Sequence, residues 1–141
     1  MESDFTVLLV EDEPADVHLT RMAFKQSRLL VTMCDVGDGV EALAFLRREG
    51  KYQNAPWPDI ILLDLNMPRM DGKTFLEHLK RDDTLKRIPV IILTTSEAES
   101  DIVESYDLGC SGYVTKPVDL VQFLQAIQNV EDYWLTLVKR P

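Results

Sequence analysis

Pro58-Asp59-Ile60-Ile61-Leu62-Leu63-Asp64-Leu65-Asn66-Met67-Pro68 decides how this chain folds. An uninterrupted apolar run is framed by prolines and closed by one carboxylate. A short continuous apolar run of this kind fits a strand buried on both faces, as in the middle of a parallel sheet. Asp64 then stands at the carboxyl end of a central strand. Open α/β sheets place their ligands and chemistry at that edge. An isolated Asp there more often starts a turn or caps a helix, so its meaning depends on what else reaches the same edge.

Upstream, Thr6-Val7-Leu8-Leu9-Val10 is a second buried-strand run, and it ends in Glu11-Asp12-Glu13 before Pro14. Proline suits the first turn of a helix, and Ala15, Leu19, Met22 and Ala23 recur at helical spacing up to about Ser27. Glu13 reads as part of a solvated face. Glu11 and Asp12 sit where a buried strand stops. If the two strands are neighbours, Glu11, Asp12 and Asp64 meet, and their mutual repulsion calls for a cation. An all-oxygen donor set points to Mg²⁺ rather than zinc.

Residues 29–35 read as a weaker strand, Gly37-Asp38-Gly39 as a turn, and Ala42, Leu43 and Leu46 as one face of a helix stopping near Gly50. Residues 51–57 form a polar loop, long for a helix-to-strand connection. Beyond the central strand, residues 66–72 form a loop, and Phe75, Leu76 and Leu79 mark the apolar face of a helix. His18 and His78 are expected to face solvent. Residues 88–93 form a further strand run that ends in Thr94-Thr95-Ser96. An acidic helix over 100–108 closes at Gly109. Tyr113-Val114-Thr115 is the last strand, followed directly by Lys116-Pro117, and Asp119 can cap a long final helix. The order is β-α five times. Right-handed crossovers make such a sheet parallel, with helices on both faces, and bring Glu11, Asp12, Asp64, Thr94 and Lys116 to one edge.

That edge suits phosphoryl transfer, which asks for charge neutralisation and positioning more than covalent help. Asp64 is the candidate nucleophile. Asp12, Asp64 and the backbone carbonyl of Asn66 are candidate Mg²⁺ ligands, with Glu11 acting through water. Lys116 can pair with phosphoryl oxygens as a mobile charge, and the Thr94 hydroxyl can donate to another.

The bulk properties agree with one domain large enough for a real core. The chain has 141 residues, 45% of them hydrophobic and 28% charged. A net charge of −9 speaks against nucleic-acid binding. No apolar run could span a bilayer and no signal-peptide pattern opens the chain, so no membrane role is expected. Cys34 and Cys110 form no CxxC or Cys/His cluster, and a reduced, cytoplasmic location is expected.

Val10-Glu11-Asp12, the Asp64-Leu65-Asn66-Met67-Pro68 segment, Asp71-Gly72, Ile88-Pro89-Val90 through Thr94, and Gly112-Tyr113 through Lys116-Pro117 resemble the receiver domains of two-component response regulators. The resemblance covers nearly the whole chain. It implies a flavodoxin-like, doubly wound five-stranded sheet of order 2-1-3-4-5 with five helices. It implies that Asp64 takes a phosphoryl group from a sensor histidine kinase with Mg²⁺ present, and that Lys116–Pro117 is cis. It also implies a switch in which phosphorylation draws Thr94 inward and lets Tyr113 turn inward.

Departures from the family pattern are Thr95, where a smaller residue is usual, Glu11 for the commoner Asp, and Cys110 for alanine. The chain is expected to be a single receiver domain, residues 1–141, with an extended last helix and no output domain. The aromatic tail at Tyr133 and Trp134 then suggests an interface. The region of Trp57 and the final Trp-Leu-Thr-Leu-Val-Lys-Arg-Pro are similar to regulators paired with cyanobacterial phytochromes. That similarity implies a phytochrome kinase as phosphodonor and a homodimer, the alternative being a monomer with Trp134 packed internally.

Three rivals are weighed. A haloacid-dehalogenase-type phosphatase would want a second Asp where Asn66 stands. A phosphorylation-independent adaptor would not need the full set of site residues. A flavodoxin would have its cofactor phosphate repelled by Glu11-Asp12-Glu13.

Overall fold

The structure is a computed structural model, and it describes residues 5–26, 30–64, 70, 72–94, 112–115, 125 and 128–129. Among these, β1 (Phe5–Val10), β2 (Val31–Val36), β3 (Ile60–Asp64) and β4 (Val90–Thr94) alternate with α1 (Pro14–Lys25), α2 (Gly39–Arg47) and α3 (Gly72–Arg81). The strands run parallel in the order β2-β1-β3-β4, and the backbone of β5 (Gly112–Thr115) continues the sheet beyond β4. Val10 pairs with Val36 on one side and Leu63 on the other, so these strands end together.

Alternation along each strand divides the core in two. Leu8, Val10, Ile61, Leu63, Val90 and Ile92 face α2 and α3 and pack with Leu43, Phe45, Phe75 and Leu76. Val7, Leu9, Ile60, Leu62, Ile91 and Leu93 face α1 and pack with Ala23 and Phe24. Both faces of β1 and β3 are therefore covered, and all of Val7–Val10 and Ile60–Leu63 are 0% exposed. Each such side chain is worth about 1.5–3 kcal/mol on burial. Double coverage is why the sequence shows unbroken apolar runs there instead of alternation.

The ends of the elements refine the expected pattern. The buried face of α1 is Thr20, Ala23 and Phe24, with Leu19 and Met22 half-buried and Ala15 exposed. Thr20 can lie inside because its hydroxyl donates to the Asp16 carbonyl at 2.8 Å. Glu13 is the N-cap of this helix, its carboxylate accepting from Ala15 N–H at 3.3 Å. The second strand begins and ends later than the apolar pattern suggests, at Val31 and Val36. Gly37-Asp38-Gly39 is less a free turn than a helix start: Asp38 caps α2 by accepting from Glu41 N–H at 2.9 Å, and Gly39 is already helical. The helix stops at Arg48, in the left-handed conformation at φ 56°, two residues before Gly50. Arg48 Nε donates to Ala55 O at 3.0 Å, which ties the following loop back to the helix.

Within that loop, Gly50–Tyr52 is a 3₁₀ turn whose Tyr52 ring meets Phe45 at 5.5 Å between centroids. The strand run expected from residue 88 starts at Val90, since Pro89 has no N–H to give a ladder. Its carbonyl still accepts from Ile61 N–H at 2.9 Å. His18 is exposed, whereas His78 is half-buried on α3. Among the described residues no helix is long and apolar enough to cross a membrane.

Candidate phosphoacceptor and metal site

Each acid reaches the edge for a local reason. Glu11 follows β1 directly, and its N–H donates to Val36 O at 2.9 Å, so the turn after β1 stays fastened to the end of β2. Its carboxylate folds back over the turn and accepts from Glu13 N–H at 3.2 Å. Asp12 lies between that turn and the start of α1 and is exposed. Asp64 is the last residue of β3, paired in register with Leu93 of β4. Glu11 is 3% and Asp64 8% exposed, unusually deep for carboxylates.

One carboxylate oxygen from each of Glu11, Asp12 and Asp64 lies within 4.8 Å of the others. At an effective dielectric of about 20, two ionised carboxylates at that distance repel by about 3 kcal/mol. A divalent ion with oxygen ligands at about 2.1 Å would draw cis and trans ligands to roughly 3–4 Å of one another. The donor set is all oxygen, which suits a hard cation and not zinc. The residues present therefore fit a divalent metal ion.

Beside the cluster, a groove of about 400 Å³ runs between α1 and the end of β2. Arg21 forms one wall. Its guanidinium contacts Asp35 Oδ1 at 2.6 Å and donates to Met33 O at 3.2 Å, pinning α1 to β2. The Arg21–Asp35 pair is solvent-exposed and so worth at most about 1 kcal/mol.

The acid cluster is what sequence spacing anticipates. Asn66, Lys116, Thr95, Cys110, Tyr133, Trp134 and the Lys116–Pro117 bond lie outside the described residues. For Thr94 and Tyr113 the backbone alone is described, at the end of β4 and within β5. Sequence reasoning missed Asp38, which is 6% exposed and caps the helix beside the cluster. The signal was present: an Asp three residues before a Glu, ahead of an apolar run, is a capping-box spacing. It also missed Asp59, which holds the entry of β3 to β1 by accepting from Thr6 N–H and donating its own N–H to Thr6 O, both at 2.8 Å.

A parallel sheet with helices on both faces and three acids gathered where β1 and β3 end defines a class, the receiver of two-component signalling. Residues 7–128 match the response regulator receiver domain, and the chain belongs to that family. Response regulator Rcp1 of Synechocystis sp. is 42% identical over 135 residues, covering 96% of this chain and 92% of the relative. The probable methanogenesis regulatory protein FilR2 of Methanothrix harundinacea is 33% identical over 141 residues, covering 99% and 90%. Among solved structures, the phosphorylated cyanobacterial phytochrome response regulator RcpA is similar at a TM-score of 0.89 and 46% identity, over 97% of this chain and 98% of that one. The Mn²⁺-bound form of Rcp1 is similar at a TM-score of 0.87 and 42% identity, over 97% and 99%. Membership of this family leaves the phosphatase and flavodoxin readings without support.

Proposed function

We propose that Asp64 accepts a phosphoryl group from the phosphohistidine of a sensor kinase, and that the kinase is a phytochrome. The observation that carries the first part is the cluster itself: two buried carboxylates and one exposed carboxylate within 4.8 Å, on a chain of the receiver family. An Asp64 carboxylate oxygen attacks phosphorus as the phosphorus–nitrogen bond to the imidazole breaks. The imidazole leaves with the bonding pair, and an acyl phosphate remains on Asp64. Asp12, Asp64 and the Asn66 carbonyl would hold Mg²⁺, with Glu11 reaching it through water. When bound, the ion offsets negative charge on the phosphoryl oxygens and the three acids. Lys116 pairs with a phosphoryl oxygen, and the Thr94 hydroxyl donates to another. Thr94 and Tyr113 then form the switch, a small charge event biasing a two-state surface. Five βα pairs, closing with a fifth helix, make up the domain.

The phytochrome assignment draws support from the phytochrome response regulator RcpA, whose similarity extends over nearly the full length of each chain. A cytoplasmic location goes with a kinase partner of that kind. A homodimer through the helix carrying Tyr133 and Trp134 is the proposed output state. Incubation with Mg²⁺ and acetyl phosphate, or with a phosphorylated phytochrome kinase, should label wild-type protein stoichiometrically and Asp64→Asn not at all. Full labelling of the variant would remove Asp64 from its role. Sedimentation with beryllofluoride and Mg²⁺ tests the dimer; an unchanged monomer would overturn that part alone.

A further inference from the structure

The start of α2 follows closely on the strand end that holds Glu11. On one side, the β2 end that leads into it accepts the Glu11 N–H through Val36 O at 2.9 Å. On the other, Gly39 N–H donates to Met70 O at 3.1 Å, six positions after Asp64 in the chain. The approach at Gly39 is close. A Cβ there would stand 2.8 Å from Met70 Cγ, 2.9 Å from Met70 Sδ and 2.9 Å from Met70 O. These distances are well inside the roughly 3.5–4.0 Å of ordinary carbon contact. Glycine is not required here by its φ, because the only glycine with positive φ among the described residues is Gly50. It is required by the neighbour. Two positions earlier, a Cβ on Gly37 would meet nothing within 4 Å.

We propose that the Gly39–Met70 contact is a positioning device for the metal site: it seats the start of α2, three positions after the Val36 carbonyl that holds Glu11, with Gly39 the residue that permits the approach. The inference rests on the reading of Asp64 and its neighbours as a Mg²⁺-dependent phosphoacceptor site. Mg²⁺ tolerates little departure from octahedral geometry, so a shift passed through the end of β2 to Glu11 shows first as lost metal affinity. A methyl group at residue 39 pushes against both the side chain and the carbonyl of Met70, and only the side chain can swing aside.

Calorimetric titration of the full chain with Mg²⁺ alone tests this, alongside the Mg²⁺ dependence of labelling by acetyl phosphate. Gly39→Ala should bind Mg²⁺ about tenfold more weakly, the scale of loss when a group supporting a metal ligand is disturbed. Its labelling rate should recover at saturating Mg²⁺, a signature that general destabilisation would not give. Gly37→Ala should titrate as wild type. Gly39→Ala/Met70→Ala removes the side-chain overlap but keeps the carbonyl one, and should fall between. It also serves if the single variant does not fold. Wild-type affinity in a folded Gly39→Ala or in the double variant would overturn the proposal. An equal loss in Gly37→Ala would overturn it too, by making the effect one of any methyl group in that turn. Failure of the wild-type chain to bind Mg²⁺ or take label would instead overturn the site reading, and this proposal with it.

Discussion

Glu11, Asp12 and Asp64 differ in exposure, and that difference separates their expected behaviour. Asp12 faces water, so removing its charge disturbs no packing, relieves repulsion with Glu11 and Asp64, and takes a donor from the cluster. Asp12→Asn should raise metal-free stability by about 1 kcal/mol or more, because it removes one of three mutually repelling charges. Its Mg²⁺ affinity should fall at least about tenfold, as the loss of a charged oxygen ligand demands. Paired urea and calorimetric titrations check both. A different acid, Asp82, carries an expected pH dependence outside the site. Asp82 accepts from Leu85 N–H and Thr84 N–H, each at 2.9 Å, where Leu85–Arg87 forms a 3₁₀ turn. Those bonds, the one from Leu85 foremost, hold its carboxyl below the usual carboxylate range. A depressed folded-state pKa gives stability that is complete above the unfolded pKa and is lost as pH falls through the folded value. Asp82→Asn should therefore lower stability at neutral pH and converge with wild type in strong acid. A parallel offset maintained down to that acid range would refute the cap. Glu11 and Asp64 were readable as site residues from their places at strand ends. The roles of Asp38 and Asp82 depended on which N–H groups the folded backbone leaves pointing at them.

Helix starts give the element scale its contrast. Glu13 caps α1 from an exposed position at 3.3 Å, while Asp38 caps α2 from a buried one at 2.9 Å. Loss of an N-cap costs about 0.5–2 kcal/mol, and the buried cap belongs at the upper end because its N–H partner is left away from water. Asp38→Ala should thus cost more than Glu13→Ala in chemical denaturation; equal costs would show that burial does not matter here. Between α2 and β3 the 51–57 loop is read from sequence only as polar. Its 3₁₀ turn, the Arg48–Ala55 bond and the Tyr52–Phe45 contact make it a strap across the end of α2. No spacing rule announces such a strap, since each link joins residues whose types are common in any loop. The α1 face was misplaced by one column for a related reason: Thr20 counts as polar in a pattern, yet its hydroxyl is satisfied within its own helix.

At the scale of the whole molecule, the two half-cores meet at β1 and β3, and the site stands on their ends. Leu63, 0% exposed and next to Asp64, joins the core beneath the cluster. Leu63→Ala should cost about 2–5 kcal/mol. Because folding and metal binding are linked, Mg²⁺ at about 100 times its Kd should add about 2.7 kcal/mol to the wild-type stability. For a chain of this size that raises Tm by about 10 °C. A metal-independent Tm would contradict the site. The sequence by itself determined the parallel βα order, the doubly buried β1 and β3, and the acids at their ends, because full burial erases polar residues and makes every exception conspicuous. Only the tertiary structure decided that the three carboxylates come within 4.8 Å, and that α2 begins hard against Met70. Those distances depend on how neighbouring strands and loops register with one another, and register is set by packing between segments far apart in the chain.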